Sequence, residues 1–86
     1  MELKDTTELM LSSDYKERFY AEYWQLKIRY QKLHKMIIKY DAQTLDFELT
    51  CPIELLKHQK SLMGQLLYEL EVRAEIEKID LEEKNN

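Results

Sequence analysis

The sequence predicts an all-α fold: an antiparallel helical hairpin of two long helices with a short N-terminal helix, oligomerising. Three observations carry that expectation. Glycine and proline occur once each in 86 residues, so little interrupts a helix. An apolar seam at heptad spacing runs from Phe19 to Tyr40, and a second helix-period stretch follows Pro52. The chain reads as a single helical domain over residues 1–86. At this length folding hides only about 60–65% of the unfolded surface, so a lone copy is marginal without a partner.

Residues 1–13 read as a short N-terminal helix or arm, because Asp5 is followed three residues later by Glu8 and then by Leu9-Met10-Leu11. The first long helix spans 14–40. Asp14 is placed to cap its free N–H groups, and Glu17 stands three residues on, where a capping box reaches back. Its seam is Phe19, Tyr23, Leu26, Tyr30, Leu33, Ile37 and Tyr40, spaced 4-3-4-3-4-3. With no Gly or Pro inside, it makes one helix roughly 40 Å long.

The connector, 41–51, alternates Leu45, Phe47 and Leu49. It reads as a short extended segment tucking those side chains under the helices, or as irregular chain. The second long helix, 52–81, starts where proline suits a first turn and Glu54 meets the positive end of the macrodipole. Its seam reads Leu56, Gln59, Met63, Leu66 and Leu70, with Ile76 and Ile79 beyond, and Gly64 marks either a close helix contact or simple tolerance. The tail, 82–86, is polar and expected to fray.

Several function classes are excluded by composition. One glycine cannot make a phosphate-cradling loop, which needs several residues without Cβ. Apolar runs reach only three residues, far short of the roughly 20 that cross a bilayer. The acidic N-terminus, with Glu2, Asp5 and Glu8, lacks the basic start of a signal peptide. Cys51 stands alone, without a disulfide or redox partner, as in a reducing cytosol. His34 and His58 have no metal-ligand spacing, and Ser12, Ser13 and Ser61 have no histidine and acid in triad order. No catalytic residue, no metal site and no cofactor are expected, and the protein is not expected to be an enzyme.

Two features point toward binding. Tyr20, Trp24 and Ile28 form a second apolar set on the first helix, roughly 100–180° from Phe19. Leu9, Leu11 or the connector covers it, or another copy does. Residues 14–40 also carry seven Lys or Arg against three acids, hidden within a net charge of −4. The plain explanation is pairing with Glu69, Glu71, Glu75 and Glu77 of the second helix. The other is an anion site. Arg18, Glu22, Gln25, Arg29, Lys32 and Met36 run 4-3-4-3-4 beside the aromatic seam, so cationic groups border Tyr15, Tyr23 and Tyr30. Such a border holds phosphate and stacks a base, at about 1–3 kcal/mol per stacked base.

Tyr15, Arg18, Glu22, Leu26, Arg29, Lys32 and Leu33, with Leu55, Leu56, Gln59, Met63, Tyr68, Leu70 and Arg73, carry a resemblance over about residues 14–76. The chain resembles small helical phage proteins related to one catalogued in a crAss-like phage, and the anti-CBASS cyclic-oligonucleotide sponges of tailed phages. That resemblance implies a homo-oligomer, a hexamer, in the host cell cytoplasm. It would sequester cyclic dinucleotides such as cyclic GMP-AMP, and cyclic trinucleotides at separate sites, without hydrolysis, and so block CBASS immunity. It implies that Tyr15 stacks on a base and that Arg29 of a neighbouring subunit holds phosphate, with Lys27 or Lys32 as alternatives. Arg73 is implied for the trinucleotide site. A rival reading is a helical adaptor or assembly protein that binds a partner through Trp24 and Tyr20. Duplex nucleic acid is disfavoured by overall acidity and the lack of a groove-reading motif, and no membrane partner is expected.

Overall fold

The computed structural model describes residues 1–84. A 3₁₀ turn, Leu3–Thr6, runs into the short helix α1 (Thr7–Met10), followed by α2 (Tyr15–Asp41) and α3 (Ile53–Glu77). Asp14 caps α2 by accepting from the Lys16 N–H at 2.9 Å. The return bond of a capping box is made differently, since the Asp14 N–H donates to the Ser12 hydroxyl rather than to Glu17. The box itself forms at the front of the chain, between Glu2 and Asp5.

Two ends are set by backbone geometry. Pro52 (φ −60°) stands just ahead of α3 and offers its carbonyl to the N–H of Leu55. α3 stops at Glu77, four residues before the expected end at Leu81, because Lys78 turns left-handed (φ 59°) and the Ile79 N–H closes on the Ala74 carbonyl at 2.8 Å. That turn drops Ile79 into the core. The connector is irregular: Leu45 and Leu49 turn partly inward while Phe47 stays 56% exposed.

Phe19, Tyr23, Leu67, Leu70, Ala74 and Ile79 form the buried core, with Trp24, Leu26, Tyr30 and Leu81 packed on it. The α2 seam is therefore the expected one along its first half. The α3 seam differs. Leu66 and Ile76 are exposed, and the inward line is Leu56, Lys60, Met63, Leu67, Leu70, Ala74 and Glu77, again spaced 4-3-4-3-4-3. α3 has leucines on two parallel lines, so apolar count alone does not choose between them. The contacts with α2 do: Leu67, Leu70 and Ala74 pack with Phe19 and Tyr23, and beside that line a Cβ on Gly64 would stand 3.4 Å from the Tyr30 ring.

The second apolar face of α2 is covered by the chain itself. Tyr20 and Ile28 are 4% and 6% exposed. Thr6, fully buried, accepts from the Gln25 amide at 3.0 Å and donates to the Leu3 carbonyl, which fixes the N-terminal turn against α2. From the other end of the chain, the Leu81 carbonyl accepts from the Trp24 indole at 3.0 Å, and the Lys84 N–H donates to the Tyr20 hydroxyl at 2.9 Å. The tail is thus held through residue 84, where Lys84 also lies 5.0 Å over the Tyr20 ring; residues 85–86 lie outside the described residues. A partner-binding aromatic face at Trp24 and Tyr20 is not available in this fold.

Candidate functional site

Antiparallel pairing brings Tyr15, at the start of α2, against Arg73 and Glu77, at the end of α3. The Tyr15 hydroxyl donates to Glu77 Oε1 at 3.0 Å and accepts from Arg73 Nη2 at 2.6 Å. Arg73 Nε donates to Glu77 Oε2 at 3.2 Å, and its guanidinium lies 4.9 Å over the Phe19 ring. The hydrogen bond to the Glu77 carboxylate raises the Tyr15 pKa, and Arg73 opposes that rise. The Tyr15 ring remains 46% exposed. It offers an aromatic face beside a cation, although an anion arriving there competes with Glu77 for Arg73.

The other expected ligand residues are spread out. Arg18 is drawn away toward the N-terminal segment, where it donates to the Ser12 carbonyl at 2.8 Å. Arg29 and Lys32 are exposed on α2, roughly 21 and 25 Å along the helix from Tyr15 at 1.5 Å per residue. Within one chain, Tyr15 and Arg73 share a site, and Arg29 and Lys32 form a separate cationic stretch.

Charge is segregated rather than paired between the helices. The acids of α3 from Glu69 onward lie beside residues 15–23 of α2, as the contacts Tyr15–Glu77 and Tyr23–Glu71 record. The basic block Lys27–Lys39 instead runs alongside the first half of α3, which brings Lys57 and Lys60 to the same end. Among the described residues the ion pairs are Lys57–Asp41, Arg73–Glu77, Lys4–Glu2 and the Met1 ammonium with Glu83. Complementary pairing of the two helices therefore does not account for the basic block, because antiparallel packing sets the cations of α2 next to those of α3. The connector end of the hairpin is positive.

An open groove of about 750 Å³ lies at that end, bordered by Tyr30, Lys57, Lys60, Gly64 and Tyr68, with the carboxylates of Asp41 and Glu69 also on its wall. Its size is within the range of roughly 300–1,000 Å³ that small ligands occupy. Lys60 stands 5.9 Å over the Tyr30 ring, which also stacks on His34 with centroids 6.2 Å apart. Tyr68 is 66% exposed. The heptad pattern sets Tyr30 in the seam and gives no sign of Lys57 and Lys60, and Ser61 stands out in the sequence only as a serine without a triad. The signal was the K-x-x-K-S stretch at the level of Gly64, which becomes a wall only once Tyr30 is set opposite the glycine.

Among the described residues no cluster of three or more His, Cys, Asp or Glu is close enough to hold a metal ion, and Cys51 is a free, half-buried thiol. No helix among them is long and apolar enough to cross a membrane. Neither the curated proteins nor the solved structures contain a match to this chain. The profile of one protein family, described as Sequestin, does match, over residues 13–76, which takes in α2, the connector and nearly all of α3. Through that match, the chain belongs to the Sequestin family.

Proposed function

We propose that this protein is a sponge: it binds cyclic dinucleotide and trinucleotide second messengers, cyclic GMP-AMP among them, and withholds them from a CBASS effector without hydrolysing them. The family's name points to sequestering a small molecule or a protein. The observation that supports an anionic, aromatic ligand is the basic block Lys27–Lys39 toward the connector end of the hairpin, near a groove where Lys60 and the Asp41-paired Lys57 stand with Tyr30 and Tyr68, and where Glu69 also lines the wall. A cyclic oligonucleotide brings phosphates for the cations and bases for the rings.

In this reading the Tyr15 ring stacks on a base and Arg29 of a neighbouring subunit holds phosphate, with Lys32 beside it and Arg18 bordering the tyrosine; Arg73 serves the trinucleotide. Tyr15 and Arg29 of one chain are too far apart to share a compact ligand, so a shared site requires an oligomer, for which we propose a hexamer. No turnover is needed. Once sites outnumber messengers in the host cytoplasm, the free concentration falls toward the dissociation constant by mass action.

Isothermal titration with a panel of cyclic dinucleotides and trinucleotides, alongside molar mass in solution, tests this. Tight binding with the ligand recovered unchanged is expected. Tyr15→Ala and Arg29→Ala should each weaken it at least about tenfold, as loss of a stacked base or a phosphate contact does, without changing the mass. No heat with any member of the panel would sink the reading.

A further inference from the structure

We propose that the groove between α2 and the middle of α3 is a site for a guanine nucleotide, with the phosphate at Lys60 and the base on Tyr68, its donor edge toward Glu69. The site lies apart from Tyr15, Arg29 and Arg73, and it rests on the proposed function only for the class of ligand.

The groove has two unlike ends. Lys57, Lys60, Gly64 and Tyr68 stand on its wall at spacings of 3, 4 and 4, so they share one face of α3 and follow one another away from the connector. Glu69 comes one position further round. The formal charges cancel, Lys57 and Lys60 against Asp41 and Glu69, so the groove is not a general sink for anions. They are set apart instead. Lys57 is paired with Asp41 at 3.0 Å, at the connector end. Neither Lys60 nor Glu69 belongs to an ion pair among the described residues. Those two are nine residues apart, roughly 13 Å along the helix axis at 1.5 Å per residue. One unpaired cation and one unpaired carboxylate therefore face opposite ends of the same groove.

Between them the wall is flat and aromatic. Gly64 has ordinary helical backbone, and a Cβ there would meet the Tyr30 ring at 3.4 Å, in contact and not in clash. Neither φ nor close packing requires a glycine at this position, where it costs about 1 kcal/mol relative to alanine. The missing side chain leaves open floor between Tyr30 and Tyr68. Tyr68, one turn on, is 66% exposed and offers a ring face for stacking. Lys60 lies 5.9 Å over the Tyr30 ring, which sets its ammonium at the near edge of that floor.

A ligand that fills this groove carries an anion at one end, a planar ring in the middle and hydrogen-bond donors at the other end. A short zwitterion such as an amino acid does not span the two charges. A nucleotide does, and the carboxylate selects its base. Ionised Glu69 only accepts, through two oxygens. Guanine presents two adjacent donors on one edge, N1–H and the N2 amine, and so meets both oxygens at once. Adenine and cytosine present one amine beside an unprotonated ring nitrogen, which sets an acceptor against the carboxylate and leaves one oxygen without a donor.

A chemical-shift titration of the full chain with guanosine monophosphate (GMP) and, separately, adenosine monophosphate (AMP), both at millimolar concentration, tests the assignment. GMP should shift the Gly64 N–H and the Tyr68 ring signals and bind about tenfold more tightly than AMP, the discrimination of one bidentate contact. Glu69→Gln should remove that preference. Lys60→Ala should weaken both nucleotides and keep the preference, since it touches only the phosphate. Equal binding of GMP and AMP, a preference that survives Glu69→Gln, shifts centred on Tyr15 and Arg73, or no shift with either nucleotide overturns the proposal. Cyclic di-GMP and cyclic di-AMP in the same titration identify the source of the base: tighter binding of cyclic di-GMP than of GMP at the groove signals places half of a second messenger there, and the reverse order places a free nucleotide there. The sponge reading stands or falls separately. GMP binding in the groove without tight binding of any cyclic oligonucleotide counts against the sponge alone, and tight cyclic binding that Tyr15→Ala abolishes, with no guanine preference at the groove, counts against this site alone.

Discussion

Tyr23 shows how one side chain serves packing and polarity together. Its ring is 5% exposed and meets Trp24 edge-on at 5.7 Å, and its hydroxyl donates to Glu71 at 2.7 Å. Burial first, and then the bond to the Glu71 carboxylate, push its pKa well above the ordinary 10.0. In the unfolded chain the phenol loses its proton near pH 10, earlier than in the folded one, so the unfolded state is favoured as pH rises. The contribution of Tyr23 is fully present below about pH 10 and lost above it. Denaturant midpoints measured across pH 7–11 should be level at first and then fall. Tyr23→Phe should cost about 1 kcal/mol at pH 7 through the lost hydrogen bond and flatten part of that alkaline decline. An unchanged alkaline slope would show that other groups cause it.

At the scale of single elements, α3 contains two positions at odds with local preference. Gly64 sits in mid-helix with ordinary helical backbone, and an added Cβ would make van der Waals contact with Tyr30 at 3.4 Å. Gly64→Ala should therefore stabilise by up to about 1 kcal/mol, which raises Tm by roughly 4–8 °C in a chain of this size. A bulkier Gly64→Leu should lower it by driving Tyr30 off the helix. Lys78 holds a left-handed conformation at φ 59°, where a Cβ is strained. Lys78→Gly should add about 1 kcal/mol. Calorimetry at one fixed protein concentration checks all three variants, and a drop in Tm for Lys78→Gly would mean that its side chain stabilises the turn by other means.

For the molecule as a whole, the radius of gyration is 15.0 Å, against about 12 Å for a compact globule of this length. The hairpin is long and thin, 43 × 25 × 19 Å, and both termini are spent on covering one face of α2. Deleting residues 1–11 should expose Tyr20 and Ile28, reduce stability by about 2–3 kcal/mol and raise binding of a hydrophobic dye. An unchanged midpoint would show that the arm is dispensable. The segregation of charge has its own consequence. If the positive connector end attracts anionic ligands, raising salt from 0.1 to 1 M, which shortens the Debye length from about 10 to about 3 Å, should weaken binding by about tenfold. Titration at two salt concentrations measures it, and equal affinities would place the binding energy in stacking instead.

Periodicity and punctuation alone determined the helices: the uninterrupted heptads of residues 19–40, Asp14 as a cap, and Pro52 ahead of α3 are local signals, governed by 3.6 residues per turn and by φ restriction. The same signals set the basic block beside Tyr15, Tyr23 and Tyr30 alike, and only the family resemblance singled out Tyr15. The tertiary structure decided what depends on neighbours distant in sequence. It chose between the two leucine lines of α3, burying Leu67 and Leu70 with Phe19 and Tyr23 and leaving Leu62 and Leu66 exposed. It covered Tyr20 and Trp24 with residues from both ends of the chain, a closure that no local pattern encodes. It ended α3 at a left-handed lysine whose turn is repaid by burying Ile79. It also set Lys57 and Lys60 beside Tyr30, and Tyr15 beside Arg73, because residues dozens of positions apart become neighbours only through the direction in which the second helix returns.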